Sequence, residues 1–319
     1  MSHIFDALQR SEAEQSGNEL SLTRQLLQMA QAGTPPLMEV AEGPQAIDGP
    51  QIAEVGLPEA AVVPGVAAEN PFESFGALPI VLPPYSRLVS FTEKDGLAAE
   101  KFRFLAVRLR QLRQTRPLKK LLITSTIPEE GKSTLAANLA CTLARRNEQR
   151  TLLLDGDLRR PTVAKQLGLG SVLGLSECLQ DNAKLTASIH RLDTLGLWVL
   201  PAGSATQNPL ELMQSGRLLP VMDQLTEWFD WIVIDSPPIL PLADTLVWAR
   251  LADGILLATR QGKTEKKQLQ RGLGALEKSK LLGAIVNCST STAHNAYYDR
   301  YQSGTSSRET AKVEGKSKA

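Results

Sequence analysis

The sequence predicts an α/β fold, a parallel sheet with helices on both faces, over residues 87–288. In this region short, almost wholly apolar segments alternate with longer stretches of helical spacing. Strands that are apolar on both faces are typical of parallel sheets that helices cover on each side. The predicted strands are residues 121–124, 151–154, 197–200, 231–234, 254–258 and 282–286.

Helical spacing of apolar residues fills the gaps between these strands. The pattern predicts helices over residues 133–145 and 210–228, and a further helix that begins near Glu93. Residues 3–32 also carry an amphipathic pattern, which fits a marginal surface helix and a docking helix for a partner equally well. We therefore assign residues 1–32 to an N-terminal helical segment.

Two other segments are predicted to lie outside the fold. Residues 33–86 hold ten of the nineteen prolines, seven acidic side chains and no Lys or Arg. Such a composition cannot bury enough apolar surface to order the chain, so we expect a disordered linker. Residues 289–319 are rich in Ser, Thr, Lys and Gly and lack a core pattern, so we expect a flexible tail.

Composition limits the functions that the chain can have. Apolar residues make up 42% of it, and the net charge of +1 gives no indication of nucleic acid as a partner. We expect no signal peptide, because the N-terminus lacks a long apolar stretch after a basic start, and no transmembrane helix, because no apolar run reaches 18 residues. Its three cysteines lack metal-ligand spacing and are predicted to be reduced and buried. We expect a cytoplasmic protein that reaches a membrane only through a partner.

A loop with the sequence STIPEEGKST, starting at Ser125, follows the first predicted strand and opens the first predicted helix. Backbone N–H groups of such a P-loop bind phosphate oxygens, its lysine reaches the β- and γ-phosphates, and its hydroxyl binds Mg²⁺. Thr126 replaces the usual first glycine, so a chance Gly-Lys-Ser is the alternative, against which the flanking strand and helix argue. The fold is therefore P-loop NTPase-like. We predict that ATP contacts Pro128, Glu129, Glu130, Gly131, Lys132, Ser133 and Thr134.

Carboxylates end two of the predicted strands. Asp155 and Asp157 follow residues 151–154, and Asp235 follows residues 231–234. The carboxyl ends of parallel strands share one edge of the sheet, where ligands bind, and Mg²⁺ prefers oxygen ligands. Each aspartate by itself could instead cap the following helix. Together with the P-loop they favour a site for magnesium and nucleotide.

Three of the four tyrosines lie close together in the predicted tail. They are Tyr297, Tyr298 and Tyr301, and no core pattern near them explains the cluster. A small aromatic patch that docks on the domain or on a neighbour is one interpretation. We favour the other, a set of phosphate acceptors on a mobile segment.

These motifs together resemble the bacterial tyrosine kinases of the CpsD/CapB type, which control capsule and exopolysaccharide synthesis. The resemblance covers roughly residues 93–301. It rests on Gly131-Lys132-Ser133 as the Walker A motif, on LLDGDLRRP from Leu153 as Walker A′, on IVIDSPP from Ile232 as Walker B, and on the tyrosine cluster. It implies an ATP-dependent protein-tyrosine autokinase that phosphorylates its own C-terminal tyrosines and regulates exopolysaccharide synthesis and export.

The resemblance implies a role for each site residue. Lys132 and Ser133 would bind phosphate and Mg²⁺, and Asp155 and Asp235 would hold the metal. Asp157 would help to activate the acceptor hydroxyl, because a phenol with a pKa near 10 needs a proton acceptor within hydrogen-bond reach. Asn287 resembles an asparagine on the adenine side of the family's site, although a turn-forming asparagine fits equally well.

The resemblance also implies partners. Glu100 and Arg103 match the start of a helical motif for ring-like self-assembly, with Ala106 where a further arginine is common. At positions i and i+3 they could instead simply pair on one helix. A membrane-embedded polysaccharide co-polymerase is implied as the activator that holds the kinase at the inner membrane, and a tyrosine phosphatase as its counterpart.

Two other functions fit parts of the sequence. A MinD/ParA-type positioning ATPase would carry a signature lysine four residues before the loop glycine, where this chain has Ile127. A nucleotide-binding scaffold without turnover would not need the complete set of P-loop and strand-end residues. Both observations favour the kinase.

Overall fold

The computed structural model describes residues 70–288 apart from 81, 84–85, 94–95 and 146–148. The N-terminal helical segment, most of the predicted linker and the tail with its three tyrosines lie outside the described residues. Within the described ranges, no helix combines the length and the apolar character needed to cross a bilayer.

Eight strands form one sheet in the described part of the chain. The sequence predicts six of them, and the other two are short strands toward one edge of the sheet. Their bounds are β1 Gly76–Ala77, β2 Lys120–Ser125, β3 Thr151–Asp155, β4 His190–Leu192, β5 Leu197–Leu200, β6 Trp231–Asp235, β7 Gly254–Arg260 and β8 Leu281–Asn287.

The strand order is β1-β4-β5-β3-β6-β2-β7-β8, and neighbours are parallel except for the antiparallel pair β4 and β5. The predicted parallel sheet is therefore confirmed, with this pair as the one antiparallel exception in the described sheet. A tight turn ending at Gly196, whose φ is 66°, joins the two strands into a hairpin. The sequence His190-Arg191-Leu192 contains no apolar run, and this is why the pattern did not reveal β4.

Helices connect the strands. The helix expected near Glu93 begins at Leu97, and the single helix expected over 210–228 is two helices, because Gly216 between them has a left-handed φ of 83°. The helix bounds are α1 Pro71–Ser74, α2 Val89–Thr92, α3 Leu97–Arg113, α4 Lys132–Ala144, α5 Val163–Gln166, α6 Leu175–Leu179, α7 Leu185–Ser188, α8 Pro209–Met213, α9 Leu218–Trp228, α10 Asp244–Leu251 and α11 Lys266–Gly274, with a 3₁₀ turn at Lys278–Lys280.

Successive residues of the central strands point into two separate cores. In β3, Leu152 and Leu154 join one cluster of buried side chains, whereas Leu153 joins the other. This alternation confirms that helices cover the sheet on both faces. Cys141 and Cys178 are free and buried as expected, but Cys288 is exposed, because it follows the last strand.

Part of the predicted linker belongs to the domain. Phe72 lies edge-on to Phe75, Trp198 and Phe229, with ring centroids 5.2–5.6 Å apart. Phe75 is buried in the core, and β1 pairs with β4. The linker prediction is wrong for these residues. It was based on the composition of the whole segment, which gives little weight to two aromatic residues, Phe72 and Phe75.

We expect Phe75→Ala to lower the free energy of unfolding by about 3 kcal/mol, because it removes a buried aromatic ring and leaves a cavity in the core. Phe104→Ala is the matched control, since Phe104 is 59% exposed and its loss should change stability by less than ~0.5 kcal/mol. Urea unfolding of both variants measures the difference. Equal stability of the two would contradict the packing of residues 70–77 on the domain.

Candidate active site

The P-loop connects β2 to α4, and a residue from the last strand supports it. Gly131 has a left-handed φ of 91°, and a Cβ there would lie 2.1 Å from Asn287 Nδ2. Both the conformation and the close approach therefore require glycine. Asn287 Nδ2 donates to the Glu130 carbonyl oxygen at 3.0 Å, and Asn287 Oδ1 accepts from the Cys288 N–H at 2.8 Å. The asparagine thus holds the loop in place.

The connection between β7 and α11 holds the two glutamates of the loop. The buried Glu130 carboxylate accepts hydrogen bonds from the Ile127 N–H, at 2.9 Å, and from the Thr264 hydroxyl. The exposed Glu129 forms an ion pair with Lys263 at 2.7 Å, and the hydrogen bond from Lys263 lowers the pKa of Glu129. Lys263 therefore offsets a negative charge beside the phosphate-binding loop. No sequence signal pointed to Lys263 or Thr264.

Lys132 meets the strand-end carboxylates. Its Nζ lies 2.9 Å from Asp157 Oδ2, 3.9 Å from Asp235 Oδ1 and 3.4 Å from Ser133 Oγ. Burial by itself lowers the pKa of Lys132, but the carboxylates of Asp235 and Asp157 raise it above its ordinary value. The ammonium therefore stays charged in a buried position. The structure brings together these predicted residues from the P-loop and from the ends of β3 and β6.

The register of two strands places Asp155 opposite Asp235. The two residues are partners in the β3–β6 ladder, and both are completely buried. Asp155 Oδ1 accepts from the Asp157 N–H at 3.2 Å, and Asp155 Oδ2 accepts from the Thr162 and Val163 N–H groups at 3.2 and 3.0 Å. Burial, with the charge of Asp235 next, raises the pKa of Asp155. Its present contacts are those of a carboxylate that caps the start of α5.

Asp235 differs from Asp155 in its partners. Among the described residues, no donor meets hydrogen-bond geometry at either of its carboxylate oxygens. Burial raises the pKa of Asp235, although the Lys132 ammonium and the nearby Ser133 hydroxyl act in the opposite direction. A hard cation such as Mg²⁺ would satisfy these oxygens. Within the described ranges, no group of three or more His, Cys, Asp and Glu is arranged to hold a metal.

Lys132, Ser133 and Asp157 line a cavity of about 520 Å³, a volume within the usual range for small-molecule sites. Its lining includes residues that sequence reasoning missed. Arg159 makes a two-pronged ion pair with the buried Asp244, at 2.6 and 3.0 Å. Arg159 lies in the Walker A′ motif, which was a usable signal, whereas Asp244 had none. Other lining residues are Arg160, Thr162, Gln166, Pro238, Pro241 and Leu242.

Similarity to known proteins covers about two thirds of the chain. No family model matches the chain. The tyrosine-protein kinase YwqD of Bacillus subtilis strain 168 is 35% identical over 212 residues, 66% of this chain and 89% of that protein. The putative tyrosine-protein kinase CapB of Staphylococcus aureus is 34% identical over 205 residues, 64% of this chain and 90% of that protein.

The chain belongs to the CpsD/CapB family of bacterial tyrosine kinases. A longer relative, the succinoglycan biosynthesis transport protein ExoP of Rhizobium meliloti strain 1021, is 34% identical over 194 residues, 59% of this chain and 25% of that protein. Among solved structures, the chimerical protein CapA2B2 matches with a TM-score of 0.61 and 28% identity, over 66% of this chain and 93% of the other.

In this tyrosine kinase the proposed assembly residues lie apart from the cavity lining, on α3. Glu100 and Arg103 form an ion pair with each other, and both side chains are partly exposed. Ala106 is completely buried, so an arginine at this position would meet the core. The simple pairing on one helix is therefore present, and a role of these two residues in ring assembly stays a prediction.

We expect Asp235→Asn to raise the melting temperature of the ligand-free kinase by roughly 3 °C, because it removes a buried charge that lacks a hydrogen-bond donor. Asp253→Asn is the matched control at the opposite ends of the strands. Asp253 accepts from the Lys119 and Lys120 N–H groups at 2.9 and 2.8 Å, so its loss should lower the melting temperature. Calorimetry of both variants tests the sign. Destabilisation by Asp235→Asn would contradict the electrostatic cost assigned to this carboxylate.

Proposed function

We propose that this tyrosine kinase transfers the γ-phosphoryl group of Mg-ATP to the tyrosines of its own tail, Tyr297, Tyr298 and Tyr301. One observation carries the proposal. A buried lysine of the P-loop faces Asp157 and Asp235, two carboxylates at the ends of parallel strands. Phosphoryl transfer depends mainly on positioning and charge neutralisation, and this site offers both.

The P-loop and the strand ends would divide the binding of nucleotide and metal. Backbone N–H groups at the start of α4 and the Lys132 ammonium would bind phosphate oxygens. Ser133 and Asp235 would hold Mg²⁺, and Asp155 would contribute beside them through lone pairs that its three backbone hydrogen bonds leave over. When bound, the metal supplies positive charge to the β- and γ-phosphate oxygens. Asn287 would keep the P-loop in place through its hydrogen bond to the Glu130 carbonyl oxygen.

We propose that Asp157 takes the acceptor proton. Its Oδ1 accepts from the Arg160 N–H at 3.0 Å, which fixes the carboxylate, and its Oδ2 is paired with Lys132. Phosphate oxygens would compete with this carboxylate for the lysine. A nucleotide would thereby leave Asp157 free to accept a hydrogen bond from a tyrosine hydroxyl, whose ordinary pKa near 10 requires such help.

The cellular role that we propose is control of exopolysaccharide synthesis and export. The name of the relative ExoP, in which the matched part is a quarter of a longer protein, supports this role. The activator would be a membrane-embedded polysaccharide co-polymerase that holds the kinase at the cytoplasmic face of the inner membrane. A ring-like homo-oligomer would bring each tail to a neighbouring site, and a tyrosine phosphatase would reverse the reaction.

We expect Lys132→Met to reduce phosphotyrosine formation by at least ~100-fold while the fold survives, because it removes the buried cation of the site. Lys120→Met is the matched control. Lys120 pairs with Asp253 at 3.3 Å, at the opposite end of β2, and its variant should keep its activity. Incubation with Mg-ATP followed by phosphotyrosine blotting compares the two. A positioning ATPase or a scaffold would give no signal even in the unchanged protein.

We expect replacement of Tyr297, Tyr298 and Tyr301 by Phe to remove most of the autophosphorylation but to leave ATP affinity unchanged, because the acceptors lie outside the nucleotide site. Mass spectrometry of the phosphorylated chain and calorimetric titration with ATP measure the two effects. Label found mainly at Tyr85 would contradict the assignment of the tail as acceptor.

A further inference from the structure

An apolar groove of about 420 Å³ lies between α8, α9 and α10. Its walls include Leu210, Leu218, Leu219, Leu246, Val247 and Leu251. Leu219 and Leu246 are 56% and 41% exposed, so each leaves a large apolar side chain in contact with water. We call this feature the α8–α10 groove. Apolar side chains concentrated in one concave surface are typical of a docking site.

The groove and the catalytic cavity meet at the segment that leads into α10. Pro241 and Leu242 line the cavity, and the next residue, Ala243, lines the groove. Asp244, the first residue of α10, holds Arg159 of the catalytic cavity. A segment bound in the groove would therefore lie against the helix that positions this arginine.

We propose that the α8–α10 groove binds residues 20–29 of the same chain as an amphipathic helix. Their sequence, LSLTRQLLQM, places Leu22, Leu26 and Met29 at positions i, i+4 and i+7. Side chains with this spacing lie along one face of a helix, which is the usual arrangement of anchors in a helix-in-groove contact. This proposal chooses the docking interpretation for the N-terminal segment and makes the kinase's own domain its partner.

The point where the described chain starts makes this contact reachable. Phe72 and Phe75 contact Phe229 and Trp228 at the C-terminal end of α9, whereas Leu218 and Leu219 of the groove lie at its other end. An eleven-residue helix is about 16 Å long. The coil scaling for a segment of the length of residues 30–69 gives a root-mean-square span of roughly 35 Å, which exceeds this distance. The tether therefore keeps residues 20–29 near the groove at a high local concentration.

Charge favours the same occupant. Arg250 lines the groove, is exposed, and has no acidic side chain of the described ranges within ion-pair distance. Glu12, Glu14 and Glu19 precede the leucines, and Arg24 is the one basic side chain in residues 11–29. The acidic residues next to the apolar anchors would thus pair with Arg250.

Photocrosslinking of the full-length chain tests the proposal without nucleotide and without kinase activity. A benzophenone amino acid is placed at position 219 or 246 in the groove, or at position 104 on α3 as an equally exposed apolar control. Equal amounts of ¹⁴N- and ¹⁵N-labelled chains are mixed, irradiated and analysed by mass spectrometry. We expect both groove positions to crosslink to residues 20–29 of the same chain, roughly tenfold more than the control position.

Two variants of the N-terminal segment identify the binding face. Leu26→Asp with Met29→Asp should abolish the crosslink, whereas Leu20→Asp with Leu27→Asp, which changes the opposite face, should keep it. Absence of crosslinks from the groove, crosslinks to another segment, or crosslinks of mixed isotope that join two chains would each overturn the proposal. Loss of the crosslink in both variants would overturn the assignment of the face.

Discussion

Two buried carboxylates, Asp155 and Asp235, lie opposite each other across neighbouring strands, and the Lys132 ammonium is the cation beside them. Like charges this close in a place with little water destabilise the folded chain. The register of the β3–β6 ladder makes their approach unavoidable once these residues end their strands. The Lys132 ammonium therefore offsets part of the repulsion between these carboxylates. A bound metal ion would offset more of it.

Much of the remaining structure around the site holds this arrangement in position. Backbone N–H groups at the start of α5 bind Asp155, and Asp244 holds Arg159 of the A′ loop. Thr264, in the connection between β7 and α11, and Asn287, at the end of β8, support the P-loop. These contacts come from distant parts of the sequence, so the loop keeps its shape without its usual first glycine. Thr126, in that position, is completely buried, and its Cγ2 lies 3.2 Å from where a Cβ of Gly272 would be.

The edge of the sheet that contains β1 and β4 also anchors the first described residues to the domain. There Phe72 packs against Trp198, and Phe75 stacks on Phe229. This attachment places Phe72, close to where the described chain begins, beside the C-terminal end of α9. The catalytic cavity is lined by residues just before α10 and the α8–α10 groove by α10 itself, so the fold offers a short structural path between a docked segment and the site.

The sequence by itself determined the α/β class, six of the eight described strands, the P-loop and the strand-end aspartates, because continuous apolar strands and a Gly-Lys-Ser loop are local patterns. It identified the family through the same motifs. It failed where the information is not local: β4 is too short for a pattern, and the packing of residues 70–77 depends on aromatic partners far along the chain. Tertiary structure alone decided that backbone N–H groups hold Asp155, whereas no donor among the described residues meets hydrogen-bond geometry at Asp235. It also decided that Lys263 and Asp244 serve the site. Such differences arise from which groups meet after folding, and spacing along the chain does not encode them.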